Sequence, residues 1–265
     1  MILNSYNKEL GDTHKCILIK VGFIGLGLIG GSIARKMKEN NPKVSIIATA
    51  GHQQTIEDAF GLGLIDNNEL LELNSFKDCD VIFLCAPVNK NIEYLTQLKD
   101  IIKDDCIITD VGSTKTQIHE KVIELGLEHN FIGGHPMTGS EKTGILNSDK
   151  QLLENAYYII TPTAATTEEN LNNFRQFVLS LGSIALILDY REHDHATAAI
   201  SHLPHMIAYS LVNLIEHIDS EKETMKTIAA GGFRDVTRIA ASSPVMWENI
   251  CESNKNTAAL THGPV

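Results

Sequence analysis

The 265-residue sequence predicts an α/β protein: a doubly wound parallel sheet over residues 15–189, then a smaller all-helical domain over 190–265. Three observations carry this. Near the start an apolar run, Ile17 to Ile24, passes through Gly25-x-Gly27-x-x-Gly30 into a helix-like segment from Ser32. Apolar runs then alternate with amphipathic segments, as in parallel strands covered on both faces by helices. From Tyr190 onward the strand pattern stops and only helical periodicity remains.

Taken in order, residues 1–14 are polar and read as a flexible tail. In the first βα unit, Gly25 permits a tight turn, Gly27 a close backbone approach to phosphate, and Gly30 close helix–strand packing. The helix N-terminus adds free N–H groups and a partial positive charge, which together suit a dinucleotide pyrophosphate. A glycine-rich turn in an ordinary βα unit is the alternative, and the strand–turn–helix order at the start of the domain favours the Rossmann-type reading. Strands follow at Val44–Ala50, Asp80–Pro87, Cys106–Gly112, Phe131–His135, Ala156–Thr161 and Ser183–Leu188. Helices are expected near Gln53–Phe60, Asn91–Ile102, Thr114–Leu125 and Glu168–Leu181. Beyond them, His193–His217 reads as one long helix disturbed at Pro204, with further helices near Lys222–Ala230, Arg234–Ala241 and Pro244–Cys251.

A net charge of −11 argues against a nucleic-acid partner or an anionic membrane surface. The five cysteines (Cys16, Cys79, Cys85, Cys106, Cys251) include no CxxC pair and mostly lie in apolar runs, so free buried thiols in a reducing cytoplasm are expected. The run from Val21 to Ala34 starts too late and is too glycine-rich for a signal peptide, and no transmembrane segment is expected.

Ligands of an open parallel sheet gather at the carboxyl ends of its strands. A dinucleotide there meets Gly25, Gly27, Leu28, Ile29 and Gly30 on the first turn and Thr49 after the second strand. Ala86 and Pro87 follow the third strand, and Asp110 and Gly112 the fourth. The same edge carries Ser113 and His135. A histidine on a glycine-rich turn beside a nicotinamide can take a proton as hydride leaves the same carbon; a surface-loop histidine is the bland alternative.

Ser201-His202-Leu-Pro-His205 places His202 and His205 three apart, on one expected helical face, with Ser201 beside them in sequence. Zinc would need a third ligand, for which His193 and His195 are only candidates, so no metal is expected. Packed, functionless histidines and substrate contact remain as readings. Arg234 and Arg238, spaced i and i+4, offer planar cationic forks suited to carboxylates, or are ordinary salt-bridged residues. Trp247, the one tryptophan, is either core or an aromatic wall for a ring substrate.

Together GLGLIGGS (25–32), DVGSTK (110–115), GGHPMTGSEKTG (133–144), ISHLPH (200–205) and GGFRDVTRIAASSPVMW (231–247) resemble the TyrA family of prephenate and arogenate dehydrogenases, in the family's order over residues 20–252. The resemblance implies oxidative decarboxylation of prephenate to 4-hydroxyphenylpyruvate in tyrosine biosynthesis, with NAD, in the cytoplasm. It gives His135 as the proton acceptor, oriented by Ser113, and His205 and Arg238 as substrate-binding residues. Arg234 and Glu141 correspond to a charged pair at the pocket mouth, and Trp247 to a residue lining it. Two departures follow. Ala48-Thr-Ala-Gly-His-Gln-Gln54 has neither the acid typical of NAD enzymes nor an arginine, which leaves NADP open. The family also continues past the tryptophan helix, so a truncated chain or a reduced homodimer interface is expected in the helical domain, with no regulatory domain after residue 252 and no fused chorismate mutase before residue 20. Arogenate dehydrogenase is the nearest alternative; a β-hydroxyacid dehydrogenase, an imine reductase and a non-catalytic dinucleotide-binding protein are more distant ones.

Overall fold

The computed structural model describes residues 19–140 and 142–255. The expected tail, the start of the first apolar run, Cys16 and Glu141 lie outside the described residues. The chain divides into two compact units, one up to His193 and the other from Asp194. This division falls within a helix, four residues beyond the boundary expected from sequence.

The first unit runs β1 (Lys20–Ile24), α1 (Leu28–Asn40), β2 (Ser45–Thr49), α2 (Gln53–Gly61), β3 (Val81–Leu84), α3 (Val88–Leu98), β4 (Ile107–Asp110), α4 (Thr116–Leu125), β5 (Ile132–Pro136), β6 (Tyr157–Pro162), α5 (Glu168–Ser180) and β7 (Ile184–Ile187). Four parallel strands pair in the order β2-β1-β3-β4, with β1 central between β2 and β3. A parallel bridge, Ile108 to Phe131, joins β4 to the three-stranded sheet β5-β6-β7.

Apolar residues alternate across this sheet into two cores. Val81 and Phe83 of β3 join Phe23, Ile33, Phe174 and Phe177 on one face. Ile82 and Leu84 join Leu95, Ile118, Val122 and Phe131 on the other. A strand buried on both faces must be apolar at every position, which is why β3 reads as a continuous run. Phe23 and Phe83 stack with ring centroids 4.9 Å apart across the parallel pair.

The expectation of a mostly parallel sheet holds for β1–β4, but β5 and β6 run antiparallel. The connection between them contains only two 3-10 turns, Ile145–Asn147 and Lys150–Leu153, among its described residues. It packs on α1 instead of forming a crossover helix: Arg35 Nε donates to Ser148 Oγ (2.7 Å) and Asp149 N to Ser32 Oγ (3.0 Å). Parallel pairing needs a crossover long enough to return the chain, and none is built here. Helix α3 starts at Val88, three residues earlier than expected, because Pro87 takes an extended cap conformation directly before it.

The second unit is helical. Helix α6 (Tyr190–Thr197) passes through a π-helical turn, Ala198–His202, into α7 (Leu203–Ile218), with Pro204 in the first turn of α7. The disturbance expected at Pro204 is therefore taken up one turn earlier, where the wider π turn accommodates the missing donor. Then come α8 (Thr224–Ile228), α9 (Gly231–Thr237), a 3-10 turn at Arg238–Ala241, and α10 (Pro244–Ser253), which is capped by Ser243.

The continuous helix Tyr190–Ile218 spans 29 residues and is long and apolar enough to cross a bilayer by length and composition. No transmembrane segment is expected from the sequence. Buried His202 and His205 and a proline midway along it favour a helix that packs against protein, since polar groups within a span are costly unless satisfied.

Candidate active site

The turn after β1 has the geometry its glycines imply. Gly25 has φ +88°, and a Cβ there would lie 2.7 Å from Ala86 N and 2.8 Å from the Cys85 carbonyl carbon. Both the backbone conformation and the approach of the β3 end exclude a side chain. A Cβ on Gly30 would sit 3.1 Å from Gly25 O and 3.2 Å from Cys85 Cβ, so α1 packs tightly on the strand ends, whereas Gly27 faces open space. Helix α1 has no side-chain cap, and its first intrahelical bond is Gly31 N to Gly27 O (2.9 Å). The N–H groups of Leu28, Ile29 and Gly30 precede that bond and form the donor set of an anion site.

At the neighbouring strand ends, Asn91 holds the turn through Ala86: its Oδ1 accepts from Ala86 N (3.2 Å) and its Nδ2 donates to Leu84 O (3.3 Å). Pro87 is exposed, and Thr49 is half-buried at the end of β2. Asp110 closes β4. Its carboxylate accepts from Gly112 N (2.9 Å), Gly134 N (3.2 Å) and the Lys115 ammonium, all within the protein. The Asp110 and Lys115 side chains are fully buried. Asp110 therefore points inward, and any part it has in holding a cofactor falls to its backbone.

That carboxylate has a geometric consequence. Through Gly112 N it fixes the turn that carries Ser113, and through Gly134 N it fixes the residue before His135. The glycines of β5 allow the close fit: a Cβ on Gly134 would lie 2.7 Å from Asp110 O and 2.8 Å from Tyr158 Oη. Ser113 and His135, both half-buried, are thus held by one anchor. His135 Nδ1 lies 2.8 Å from His193 Nε2.

In the second unit, His202, His205 and Trp247 come together. His205 stacks on Trp247 with centroids 3.5 Å apart and planes 8° from parallel, and His202 meets the indole edge-on at 6.0 Å. Asn254 Nδ2 lies 3.3 Å from His202 Nδ1 and donates to Asp194 O (2.9 Å). Both ring nitrogens of His205 and the Trp247 Nε1 are buried without a hydrogen-bond partner among the described residues. Buried polar atoms without partners are costly, and a ligand with acceptors or donors is one way they are satisfied. Desolvation holds the His205 pKa below its ordinary value, so the ring stays neutral.

Ser201 is half-buried in the π turn, and Arg234 and Arg238 are exposed. The expected i, i+4 relation of the two arginines holds at the backbone, where Arg238 N donates to Arg234 O as α9 ends at Thr237 and a 3-10 turn opens at Arg238. Among the described residues no three histidine, cysteine or acidic side chains gather as a metal-ligand set. The buried thiols are inert: burial pushes Cys79 and Cys106 up to about 12.

Sequence reasoning gave no role to Asn91, Lys115 or His119, and weighed His193 only as a metal ligand. A polar residue on an apolar helix face is the one signal available for His119, which lies between Ile118 and Val122 on buried α4.

Comparison with known proteins agrees with this architecture. The family model "Prephenate dehydrogenase, nucleotide-binding domain" matches residues 33–186, and "Prephenate dehydrogenase, dimerization domain" matches 189–262. A prephenate dehydrogenase of Bacillus subtilis is 38% identical over 88% of this chain, and the chain spans 63% of that relative's length, less than two thirds. The crystal structure of prephenate dehydrogenase from A. aeolicus in complex with hydroxyphenyl propionate and NAD+ superposes with TM-score 0.85 at 30% identity, covering 94% of this chain and 86% of that one. Synechocystis arogenate dehydrogenase is similar at TM-score 0.78 and 31% identity, covering 92% and 86%. With more than half of its residues matched by the nucleotide-binding model alone, the chain belongs to the prephenate dehydrogenase family.

Proposed function

We propose that this chain catalyses the NAD-dependent oxidative decarboxylation of prephenate to 4-hydroxyphenylpyruvate, a step of tyrosine biosynthesis, in the cytoplasm. The observation that carries the proposal is His135: a half-buried imidazole whose Nδ1 is engaged by His193, fixed beside the Ser113 turn at the carboxyl edge of a dinucleotide-type sheet. NAD fits the first turn, because a positive-φ Gly25, an uncapped α1 and open space at Gly27 suit a pyrophosphate. Gly25, Gly27, Leu28, Ile29 and Gly30 would hold it, with Thr49, Ala86, Pro87 and the backbone at Asp110 and Gly112 alongside. When bound, NAD supplies the acceptor for hydride from the ring carbinol carbon.

The chain's own residues do the rest. With Nδ1 occupied, His135 takes the ring hydroxyl proton at Nε2, and Ser113 helps orient that histidine and the nicotinamide. Loss of carbon dioxide then makes the ring aromatic and drives the reaction forward. Prephenate carries two carboxylates, for which Arg238 and Arg234 are cationic forks of the right chemistry; the family resemblance assigns His205 and Trp247 as further substrate-binding residues, with Ser201 and His202 in the same motif as His205, and Glu141 as the charged partner of Arg234. No metal is needed in this scheme. The functional unit is a homodimer through the helical unit, as the dimerization-domain match and the exposed apolar residues of α7 support.

Arogenate is the second reading, favoured by the likeness to Synechocystis arogenate dehydrogenase. Cofactor reduction followed with prephenate and with arogenate, each with NAD and with NADP, tests both. Turnover of prephenate with NAD is expected, and turnover of neither substrate would remove the proposal. His135→Asn is expected to lower kcat on the order of 10²–10⁴-fold, the usual worth of a positioned base.

A further inference from the structure

We infer that His193 is a positioning residue for His135: it accepts the Nδ1 proton of His135 and so keeps Nε2 unprotonated toward the substrate. The inference rests on the reaction proposed above and deepens it. The two rings meet edge to face, Nδ1 of one 2.8 Å from Nε2 of the other, with centroids 5.0 Å apart and planes at 69°. A neutral imidazole carries one proton, and a ring that is to take a proton at Nε2 must hold its own at Nδ1. His193 Nε2 is then the acceptor, and the His193 proton sits on its Nδ1. Were His135 to carry its proton on Nε2 while His193 kept its own on Nδ1, two lone pairs would face each other across this contact, which penalises the unproductive form.

The local fold fixes His193 for this task. Asp189 caps the helix that carries it: its Oδ1 accepts from Arg191 N (2.8 Å) and Glu192 N (3.3 Å), and its carbonyl accepts from His193 N (2.9 Å). Tyr190, one turn before His193, stacks on His119 with centroids 4.5 Å apart and planes at 7°. His119 Nε2 is in turn 2.9 Å from Thr161 Oγ1 on β6, the strand paired with the His135 strand. The first turn of α6 is therefore fastened to the sheet on which His135 stands. His193 has no exposed surface, so water does not compete for the bond.

The test uses the full chain. First, ¹⁵N shifts of the His135 ring in the wild type, assigned by comparison with His135→Asn, report its tautomer without any turnover. Protonated Nδ1 is expected, and protonated Nε2 in the neutral ring would overturn the inference. Second, His193→Leu removes the acceptor at similar bulk, whereas His193→Gln returns an amide oxygen near the lost Nε2. Expected are a fall in kcat on the order of 10²-fold for the Leu variant with KM within about threefold, and recovery of most of that loss by Gln. Equal impairment of both variants, or kcat within about twofold of wild type for Leu, would overturn it. Absence of turnover by the wild type with prephenate and arogenate would refute the proposed reaction, while the ring-nitrogen spectrum would still decide the pairing.

Discussion

Lys115 brings an ammonium into a site where neither it nor Asp110 has exposed side-chain surface. Removing one partner of such a pair leaves an uncompensated buried charge, which costs about 3–5 kcal/mol. Lys115→Met is therefore expected to lower unfolding free energy in urea by about that amount, and a loss under about 1 kcal/mol would show that Asp110 finds another counter-charge. His205 makes a pH-dependent prediction. Its folded pKa lies below the ordinary 6.5 because burial disfavours the imidazolium, so the unfolded state binds the extra proton. The unfavourable term is absent well above 6.5 and grows as pH falls from 6.5 toward the folded value. Thermal melts at pH 7.5 and 5.5 should show a smaller acid destabilisation for His205→Phe than for wild type; identical slopes would show that His205 is not responsible. At this scale type and local motif single out candidates, as with His135 and Ser113. Partners are not singled out, because His193 lies 58 residues from His135 and Thr161 lies 42 from His119, and no local spacing reports contacts of that range.

Elements were more legible than partners, since periodicity reports burial directly. Strand β3 was found from its unbroken apolar run, and helix α4 ends at Gly126, which adopts the left-handed φ of 70° that a C-terminal glycine supplies. What escaped is what depends on neighbours: the antiparallel β5–β6 pairing, the π turn before Pro204, and the 3-10 turn that begins at Arg238. The β1–α1 turn offers the sharpest test at this scale. Gly25→Ala must hold φ near +88° and push a methyl to within 3 Å of the Ala86 and Cys85 backbone, whereas Gly30→Ala meets contacts only slightly tighter than normal. The left-handed conformation alone costs about 1–2 kcal/mol. Gly25→Ala should therefore lower the melting temperature and weaken dinucleotide binding at least tenfold by titration, with Gly30→Ala the milder of the two. Equal effects would mean that crowding at the strand ends, and not backbone conformation, limits this turn.

Across the molecule, apolar surface is distributed unevenly between the units. The longer first unit builds two cores and leaves Leu146 and Tyr157 more than half exposed, while in the shorter second unit α7 alone leaves Ile207 and Leu214 just over half exposed, with Ile218 at 50%. These positions lie seven and eleven residues along one helix, the spacing of a single stripe. Contiguous apolar patches of this kind mark association sites, and a stable protein interface buries roughly 800 Å² per partner, more than one helix stripe supplies alone. Ile228, Val236 and Val245 from the later helices, each more than half exposed, extend the available surface. We therefore expect sedimentation at twice the 29.1 kDa chain mass, and a melting temperature that rises with protein concentration. Leu214→Glu puts a charge into the stripe and is expected to shift the species to the monomer mass while leaving the first unit's dinucleotide affinity unchanged. A wild type that stays monomeric at tens of micromolar would mean that the stripe is covered from within its own chain. Loss of dinucleotide affinity in the Leu214→Glu dimer-breaking variant would show instead that association and cofactor binding are coupled.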